Sequence, residues 1–381
     1  MTNIEFSAKT VVNKFKKQLA VVIWFKKINL GSIIHIVTVY NMKSNRYFVF
    51  CAAILFLFFS PVLKAQHIEL LQQGKPVSIR GLSVVDDSVA WVSGTKGSFA
   101  VTTNGGKNWS WQQVKGFEKA DFRDVEAFSD KEAIIMSSGT PALILKTIDG
   151  GASWQVKYSN ADTAYFFDAM DFADHGHGFV LGDPIKGKFV LMETKDAGES
   201  WNPFKNPPDA LPGEAAFAAS GTCLRVDSAN SIVVVTGGSV ARLFSTAPPY
   251  DKWHIDYLPI EQGKANQGAF SYADFDVIVG GDYANDKNSN HVAVYYEPMM
   301  VSIKNGIAPS REGPAGFQSC VEEIKSGKYL STGTPGSNIT TDGGKTWKKI
   351  DAVSYNVCRK AKNGKLVLLA GGLGKIGILK M

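Results

Sequence analysis

Several acidic side chains lie where two carboxylates could act together in glycoside hydrolysis, one as the acid and the other as the base or nucleophile. They fall near the predicted loops or inner strands of repeated β units: Asp168, Asp183, Glu214, Asp274 and Asp282. This chemistry needs two carboxyl groups about 5–10 Å apart across one substrate site. The alternative is that these acids cap turns and face solvent, as aspartate commonly does. The sequence therefore assigns no catalytic residue.

Two arginines, Arg80 and Arg123, occupy equivalent places in two consecutive repeats, one residue past the predicted start of a strand. If these strands surround a common axis, the two guanidiniums lie near one mouth of a channel. Adjacent guanidiniums can bind a carboxylate or an acidic segment of a partner protein. The candidate binding residues at this mouth are Arg80, Arg123, Asp183 and Glu214. The alternative is that each arginine pairs with a local acid such as Asp86 or Asp124.

Histidine and cysteine give weaker signals. His175 and His177 could supply two metal ligands, but no third ligand is evident, so we predict neither a metal nor another cofactor. The cysteines beyond residue 65 are Cys223, Cys320 and Cys358, and an odd number does not indicate a disulfide framework. A Cys320–Cys358 disulfide is conceivable. Buried free thiols that pack as small hydrophobic groups are the favoured interpretation.

The elements that must position these side chains follow an internal repeat. Four segments share the pattern Thr, any residue, Asp or Asn, any residue, Gly, any residue, Ser/Thr/Asn, Trp. Each of these segments is an Asp box. The acid or amide at its third position and the tryptophan at its last position are, in the four copies, Asn104 and Trp109, Asp149 and Trp154, Asp196 and Trp201, Asp342 and Trp347. The tryptophans are 45, 47 and 146 residues apart. Because 146 is about three repeat lengths, two degenerate copies are expected, one ending at Trp253 and one near residues 296–300.

The octapeptide has the chemistry of a hairpin turn. Asp or Asn can accept hydrogen bonds from backbone N–H groups further along the turn. Glycine at the fifth position supplies a backbone conformation that other residues avoid, and tryptophan can bury its ring against a neighbouring hairpin. A catalytic role for Asp149, Asp196 or Asp342 is disfavoured, because the same group recurs from box to box.

Each repeat contains four short strand-like segments, which is typical of a propeller blade. The first strands are predicted to begin near Ile79, Phe122, Phe166, Phe217, Phe270, Phe317 and Tyr355. Only three strand-like segments follow Trp347, whereas residues 67–72 precede the first blade. We therefore predict an all-β, seven-bladed β-propeller of four-stranded antiparallel blades over residues 66–381. The N-terminal strand closes the ring and removes two open sheet edges.

Residues 42–65 have the features of a secretory signal peptide. Lys43 and Arg46 form a charged start, a 13-residue apolar run covers residues 47–59, and a small residue, Ala65, ends the segment. We predict cleavage after Ala65 and a periplasmic or secreted location. An uncleaved anchor is the alternative, although the run is shorter than the roughly 20 residues of a membrane span.

The upstream residues 1–41 are interpreted as a misassigned extension, with Met42 as the true start. An additional membrane-associated segment is the alternative.

The formal charge of +6 resides in residues 1–65. Residues 1–65 contain nine Lys or Arg and one acid, so 32 basic and 34 acidic residues follow, a net of −2. This balance does not favour nucleic-acid binding.

The boxes resemble the Asp-box (BNR) repeats of sialidase-like propellers. Over residues 66–381 the chain more closely resembles the family of the photosystem II stability and assembly factor, including its non-photosynthetic bacterial relatives. The segments that carry this resemblance are residues 78–85, 89–94, 121–125, 182–184 and 213–222. The resemblance implies a lumenal or periplasmic propeller that helps other proteins to fold or assemble, without fixing the client.

A sialidase is disfavoured. Such an enzyme needs an arginine triad, a Tyr nucleophile with a Glu partner and an Asp acid/base. The Phe/Tyr-Arg-Ile-Pro signature is absent, and its nearest approach is residues 122–124, in the second repeat. We therefore predict a monomeric, exported scaffold that binds a protein partner and assists an envelope or membrane complex. The mature domain is not expected to span the membrane. A secreted glycoside hydrolase is the alternative.

Overall fold

The computed structural model describes residues 66–273, 277–297 and 306–380, together with the backbone of a short hairpin nearer the N terminus. In this hairpin, β1 (Val21–Lys26) pairs antiparallel with β2 (Ile33–Thr38). The predicted signal peptide and its cleavage site lie outside the described residues. The chain divides into two compact units, Met1–Lys64 and Ala65–Met381. No helix among the described residues is long and apolar enough to cross a membrane.

The second unit is a β-propeller of seven antiparallel blades. The chain enters it through β3 (His67–Gln72). Blade 1 contains β4 (Ile79–Val84), β5 (Ala90–Gly94), β6 (Ser98–Thr102) and β7 (Ser110–Gln113). Blade 2 contains β8 (Asp121–Ala127), β9 (Ala133–Ser138), β10 (Ala142–Thr147) and β11 (Gln155–Asn160). Blade 3 contains β12 (Phe167–Phe172), β13 (Gly178–Ile185), β14 (Lys188–Thr194) and β15 (Asn202–Pro203).

The remaining blades follow the same order with one elaboration. Two short strands, β16 (Glu214–Ala215) and β19 (Gly237–Gly238), extend the sheet of blade 5. Blade 4 contains β17 (Leu224–Val226), β18 (Ile232–Val235), β20 (Arg242–Thr246) and β21 (His254–Tyr257). Blade 5 contains β22 (Lys264–Ala273), β23 (Val277–Asp282), β24 (Ala293–Tyr296) and β25 (Ile307–Pro309).

Blade 6 contains β26 (Cys320–Lys325), β27 (Lys328–Gly333), β28 (Gly336–Thr340) and β29 (Lys348–Asp351). Blade 7 contains β30 (Val357–Lys360), β31 (Val367–Ala370) and β32 (Ile376–Lys380). Two short 3-10 helices, Tyr283–Asn285 and Gly372–Gly374, complete the described elements.

The first strand of each blade lies against the first strands of its two neighbours, so these seven strands surround the propeller axis. Strand β3 completes blade 7, because it pairs with β32 in the register His67↔Lys380. Its Ile68 and Leu71 pack against the buried core of the adjoining blades. The predicted closure by the N-terminal strand is therefore confirmed.

The predicted start of the fourth first strand is wrong. Strand β17 begins at Leu224, whereas Phe217 belongs to the preceding connection. Its aromatic ring stacks on Phe270 at a centroid distance of 3.8 Å. The segment is apolar and aromatic like a strand, but the Phe217 side chain packs against another blade and its backbone does not enter a ladder.

The Asp boxes form the predicted turns. Asp149 accepts hydrogen bonds from the Ser153 backbone N–H (2.9 Å), from the Ser153 hydroxyl (2.6 Å) and from the Thr147 hydroxyl (2.8 Å). Gly151, at the fifth position, has φ = 85°. Trp154 packs edge-on against Phe99 of the neighbouring blade, with centroids 5.2 Å apart. The same box therefore forms a hairpin turn and places a tryptophan against the neighbouring blade.

Low pH is expected to weaken the Asp-box turn that contains Asp149 but not the turn that contains Asn104. Hydrogen bonds from Ser153 and Thr147 lower the pKa of Asp149 to about 2. Because this is below the unfolded value of about 3.9, the stabilisation is complete above pH 4 or so and is lost as the pH falls through the folded pKa. The Ser153 amide resonance should therefore titrate near pH 2 in an NMR series. The matched control is the Asn108 amide, which donates to the uncharged Asn104 at 2.9 Å and should not follow this titration. A Ser153 midpoint near pH 4 would contradict the prediction.

Candidate functional site

The seven first strands each place one side chain at the same level of the axis. These residues are Ser83, Glu126, Asp171, Arg225, Tyr272, Glu322 and Arg359. All seven line a cavity of about 420 Å³, which we call the axial cavity. It lies at the end of the axis where the first strands finish, and five of its seven strand residues are charged.

One carboxylate holds two guanidiniums together in the axial cavity. Glu322 Oε2 lies 2.9 Å from Arg225 Nη2 and 3.8 Å from Arg359 Nη1. Its Oε1 accepts the Lys360 backbone N–H at 3.1 Å. Burial opposes the charged form of Arg225, but Glu322 and Asp171 outweigh this effect and raise its pKa. Arg225 is therefore a fixed cation in the wall of the cavity.

The other acids of the cavity are also held. Lys362 pairs with Glu126, donates to the Ala127 carbonyl at 3.0 Å and lies 5.7 Å from the centre of the Phe128 ring. Burial raises the pKa of Glu126 in spite of the opposing effect of Lys362. Asp171 accepts the Val226 backbone N–H at 2.7 Å. These contacts join blade 7 to blade 2 and blade 3 to blade 4 at the mouth of the cavity.

The predicted arginines lie at the opposite end, where the first strands begin, which we call the arginine end. Arg80 Nη1 donates to the Ala219 carbonyl at 3.4 Å, and Arg123 Nη1 donates to the Ala218 carbonyl at 3.5 Å. Arg123 Nε also pairs with Asp121 at 2.7 Å. Burial, followed by the neighbouring Arg123 charge, lowers the pKa of Arg80. The structure therefore brings the two guanidiniums together, with Asp121 as the local acid of Arg123.

The acids that the sequence offered as local partners have other roles. Asp86 accepts the backbone N–H groups of Ser88 and Val89, at 2.7 and 2.8 Å. Asp124 is buried and accepts the backbone N–H groups of Val125 and Met170.

Residues 216–222 form a plug across the arginine end. Besides receiving Arg80 and Arg123, this segment reaches blade 6 through the Ser220 hydroxyl, which donates to the Ser319 carbonyl at 2.7 Å. It reaches blade 5 through the Phe217–Phe270 stack. Since it contacts blades 1, 2, 5 and 6, the plug crosses the axis.

Asp183 and Asp168 support the plug from blade 3. Asp183 accepts the Ala216 backbone N–H at 3.3 Å, and burial raises its pKa. Asp168 is 1% exposed, and burial together with the Asp183 charge raises its pKa well above the ordinary range. The two predicted acids are thus electrostatic neighbours. The buried Asp168 carboxyl is closed off from any substrate in this conformation.

Glu214 is not available at a channel mouth, contrary to its choice as a candidate there. It forms a two-point ion pair with Arg242, in which Nε lies 2.9 Å from Oε1 and Nη2 binds Oε2. The Thr236 hydroxyl and the Leu211 backbone N–H also donate to its carboxylate, at 2.6 and 2.9 Å. The Glu214 side chain has no exposed surface. These contacts make it a structural residue.

The remaining carboxylate candidates are Asp282 and Asp274. Asp282 caps a 3-10 helix by accepting the backbone N–H groups of Ala284 and Asn285, and it also accepts from Gln267. Asp274 lies outside the described residues.

The two candidate histidines bind different acids. His175 Nε2 lies 3.0 Å from Glu132, and His177 Nε2 lies 2.8 Å from Glu193. In the described part of the chain, no group of three or more His, Cys, Asp or Glu side chains is arranged to hold a metal ion.

The three described cysteines are Cys223, Cys320 and Cys358, and all are free and buried, as favoured from the sequence. The Cys320 thiol donates to the Cys358 carbonyl at 3.3 Å.

Comparison with known proteins agrees with the predicted resemblance. Residues 64–163, about a quarter of the chain, match the family described as photosynthesis system II assembly factor YCF48, and residues 339–349 match the BNR/Asp-box repeat. A solved structure of YCF48 bound to D1 peptide has a TM-score of 0.60 and 16% identity, over 84% of this chain and 99% of that one. Over residues 64–163 the chain therefore resembles this family, and its fold is that of a propeller with Asp-box turns.

Other solved structures place limits on this likeness. YCF48 from Cyanidioschyzon merolae has a TM-score of 0.59 at 13% identity, covering 82% of this chain and 98% of that one. The structure of U3-55K reaches 0.57 at 13% identity, over 83% and 98% of the two chains. No curated protein sequence gives a significant match. At such identities the structures establish the propeller fold alone.

The axial cavity was missed by sequence reasoning. A partial signal was present, because Ser83, Glu126 and Arg359 each lie four residues past the predicted start of their first strand. In blades 3 and 6 the same offset gives Met170 and Val321, one residue before Asp171 and Glu322. In blade 4 the predicted strand start lies eight residues before Arg225.

Proposed function

We propose that this chain is an exported scaffold that binds an acidic segment of a partner protein at the arginine end and assists the assembly of an envelope or membrane complex. The observation that carries the proposal is the pairing of Arg80 with Arg123 on adjacent first strands. The sequence features of residues 42–65 support export. YCF48 bound to D1 peptide is a precedent for a peptide ligand on a related propeller.

The charge balance at the arginine end favours an anionic partner. Arg123 has Asp121 as its ion-pair partner, whereas no described carboxylate lies within ion-pair distance of Arg80. Burial favours the neutral form of Asp168, so this acid compensates little of the positive charge. A carboxylate from a partner would relieve the repulsion between the two guanidiniums.

The present contacts of both arginines with the plug are long. Distances of 3.4 and 3.5 Å to the carbonyls of Ala219 and Ala218 are beyond the usual N–H···O range. A carboxylate gives shorter, charge-assisted hydrogen bonds with guanidinium. Exchange of these carbonyls for a partner's carboxylate would therefore be favourable, and a bound segment would sit beside residues 216–222.

Affinity capture from an envelope extract tests this function. The tagged chain is expected to enrich one envelope or membrane complex, and the Arg80→Glu/Arg123→Glu variant should recover at least tenfold less of it, because two attractive charges become repulsive. The matched control is Arg311→Glu, at an exposed arginine away from the axis, which should capture as the parent does.

A folding defect must be separated from a binding defect. Arg80→Gln/Arg123→Gln removes the charges without introducing buried anions, and its thermal midpoint should stay close to that of the parent. Reduced capture by this milder variant would support the proposal. Unchanged capture by the double Arg→Glu variant would refute it.

A further inference from the structure

The axial cavity lies at the opposite end of the axis from the arginines and has no part in the proposed function. It is an open, largely polar space of about 420 Å³ walled by all seven blades. Small-molecule sites typically occupy about 300–1,000 Å³ and orient their ligands through a few fixed polar groups. The cavity therefore has the size of a ligand site.

Two guanidiniums in one wall share a single ion-pair partner. Glu322 is within ion-pair distance of both Arg225 and Arg359. Asp171 adds a longer-range attraction to Arg225, so Arg359 is the less compensated of the two cations. Lys360 adjoins them in the lining.

The two guanidiniums differ in how fully their donors are used. Arg225 donates from Nε to the Tyr272 carbonyl at 3.0 Å and from Nη2 to Glu322 at 2.9 Å. Arg359 lies 3.8 Å from Glu322, which is too long for a hydrogen bond, and this is its ion-pair contact among the described residues. Its side chain is only 12% exposed. A guanidinium largely withdrawn from water with its donors unspent is costly unless an acceptor enters.

The acids in the opposite wall do not offer that acceptor. Glu126 is occupied by Lys362, and Asp171 accepts the Val226 backbone N–H. Asp174 accepts the backbone N–H groups of Gly176 and His177, at 2.7 and 2.9 Å. Asp227, the remaining described acid of the lining, accepts the backbone N–H groups of Ala229 and Ser231, both at 2.8 Å. Among the described residues, none of these acids is within ion-pair distance of Arg359.

We infer that the axial cavity is a second ligand site, which binds the oxyanion of a small molecule, a carboxylate or a phosphate group, through Arg359 and the adjoining face of Arg225. Both guanidiniums lie beside the same Glu322 oxygen, so an oxyanion in the cavity would be attracted by both. Planar guanidinium groups bind both kinds of oxyanion through paired hydrogen bonds.

Titration of the full chain with inorganic phosphate and, separately, with succinate tests this site. Binding is followed by calorimetry and by the arginine Nε–Hε NMR resonances, which are few because the chain has seven arginines. We expect saturable binding of at least one probe at low ionic strength, with shifts at Arg359 and Arg225. The probe that binds tells whether the site prefers phosphate or carboxylate.

Single arginine substitutions test whether the probe binds at Arg359. Arg359→Gln should weaken binding at least tenfold, Arg359→Lys should weaken it less because the charge stays, and the exposed control Arg311→Gln should bind as the parent does. Saturable binding of neither probe would overturn the inference. So would equal binding by Arg359→Gln, or shifts confined to Arg80 and Arg123, which would place the anion at the other end. The first two outcomes leave protein capture at the arginine end unaffected, whereas shifts confined to Arg80 and Arg123 would support an anion site there.

Discussion

Deletion of residues 66–73 is expected to lower the free energy of unfolding by more than about 4 kcal/mol and to abolish a single cooperative transition. The deletion removes β3, whose backbone pairs with β32 from His67 to Gln72. It also removes Ile68 and Leu71 from the core between blades and leaves β32 as an open edge. Ring closure would then depend on three strands in blade 7.

Urea unfolding of the full chain and the deletion variant, followed by circular dichroism and tryptophan fluorescence, provides the measurement. A point variant, Leu71→Asp, should reproduce much of the loss. The control Glu69→Ala, on the exposed face of the same strand, removes only a surface contact with Lys380 and should cost less than about 1 kcal/mol. A deletion variant with the parent's midpoint would show that β3 does not hold the ring closed.

Glu214→Ala is expected to lower the free energy of unfolding by about 3–5 kcal/mol. The substitution leaves the Arg242 guanidinium, whose side chain is 6% exposed, without its carboxylate partner. It also deprives the Thr236 hydroxyl and the Leu211 backbone N–H of their acceptor. Removing one partner of a buried ion pair costs more free energy than replacing both partners by apolar groups, so we expect a large loss of stability.

The double variant Glu214→Leu/Arg242→Met supplies the matched control. It replaces the pair by apolar groups and should recover a substantial part of the stability lost in Glu214→Ala, as measured by urea unfolding. Partner capture by the double variant should resemble that of the parent. Parent-like stability of Glu214→Ala, together with lost capture, would instead make Glu214 a binding residue.

The sequence was sufficient for the architecture because its signals are local. The acid or amide, the glycine and the tryptophan of each box are separated by a few residues, and the turn they form depends mainly on one another, as the contacts of Asp149 show. The spacing of the tryptophans then implies the number of blades. Even the closure by residues 67–72 follows from counting strands, since one blade lacked its fourth. The leader at residues 42–65 and the location it implies stay predictions from the same kind of local pattern.

The tertiary structure alone decided which side chains share a site. Arg80 and Arg123 were placed together by their equivalent positions, but their contact with residues 216–222 depends on a connection that crosses the axis. Glu214 looked like an acid near a strand end, and only the fold brings Arg242 to it from 28 positions away. The Arg225–Glu322 pair joins blades 4 and 6 across 97 positions. A turn is specified by neighbours in the chain, whereas a buried ion pair or a cavity wall depends on side chains that become neighbours only when the ring closes.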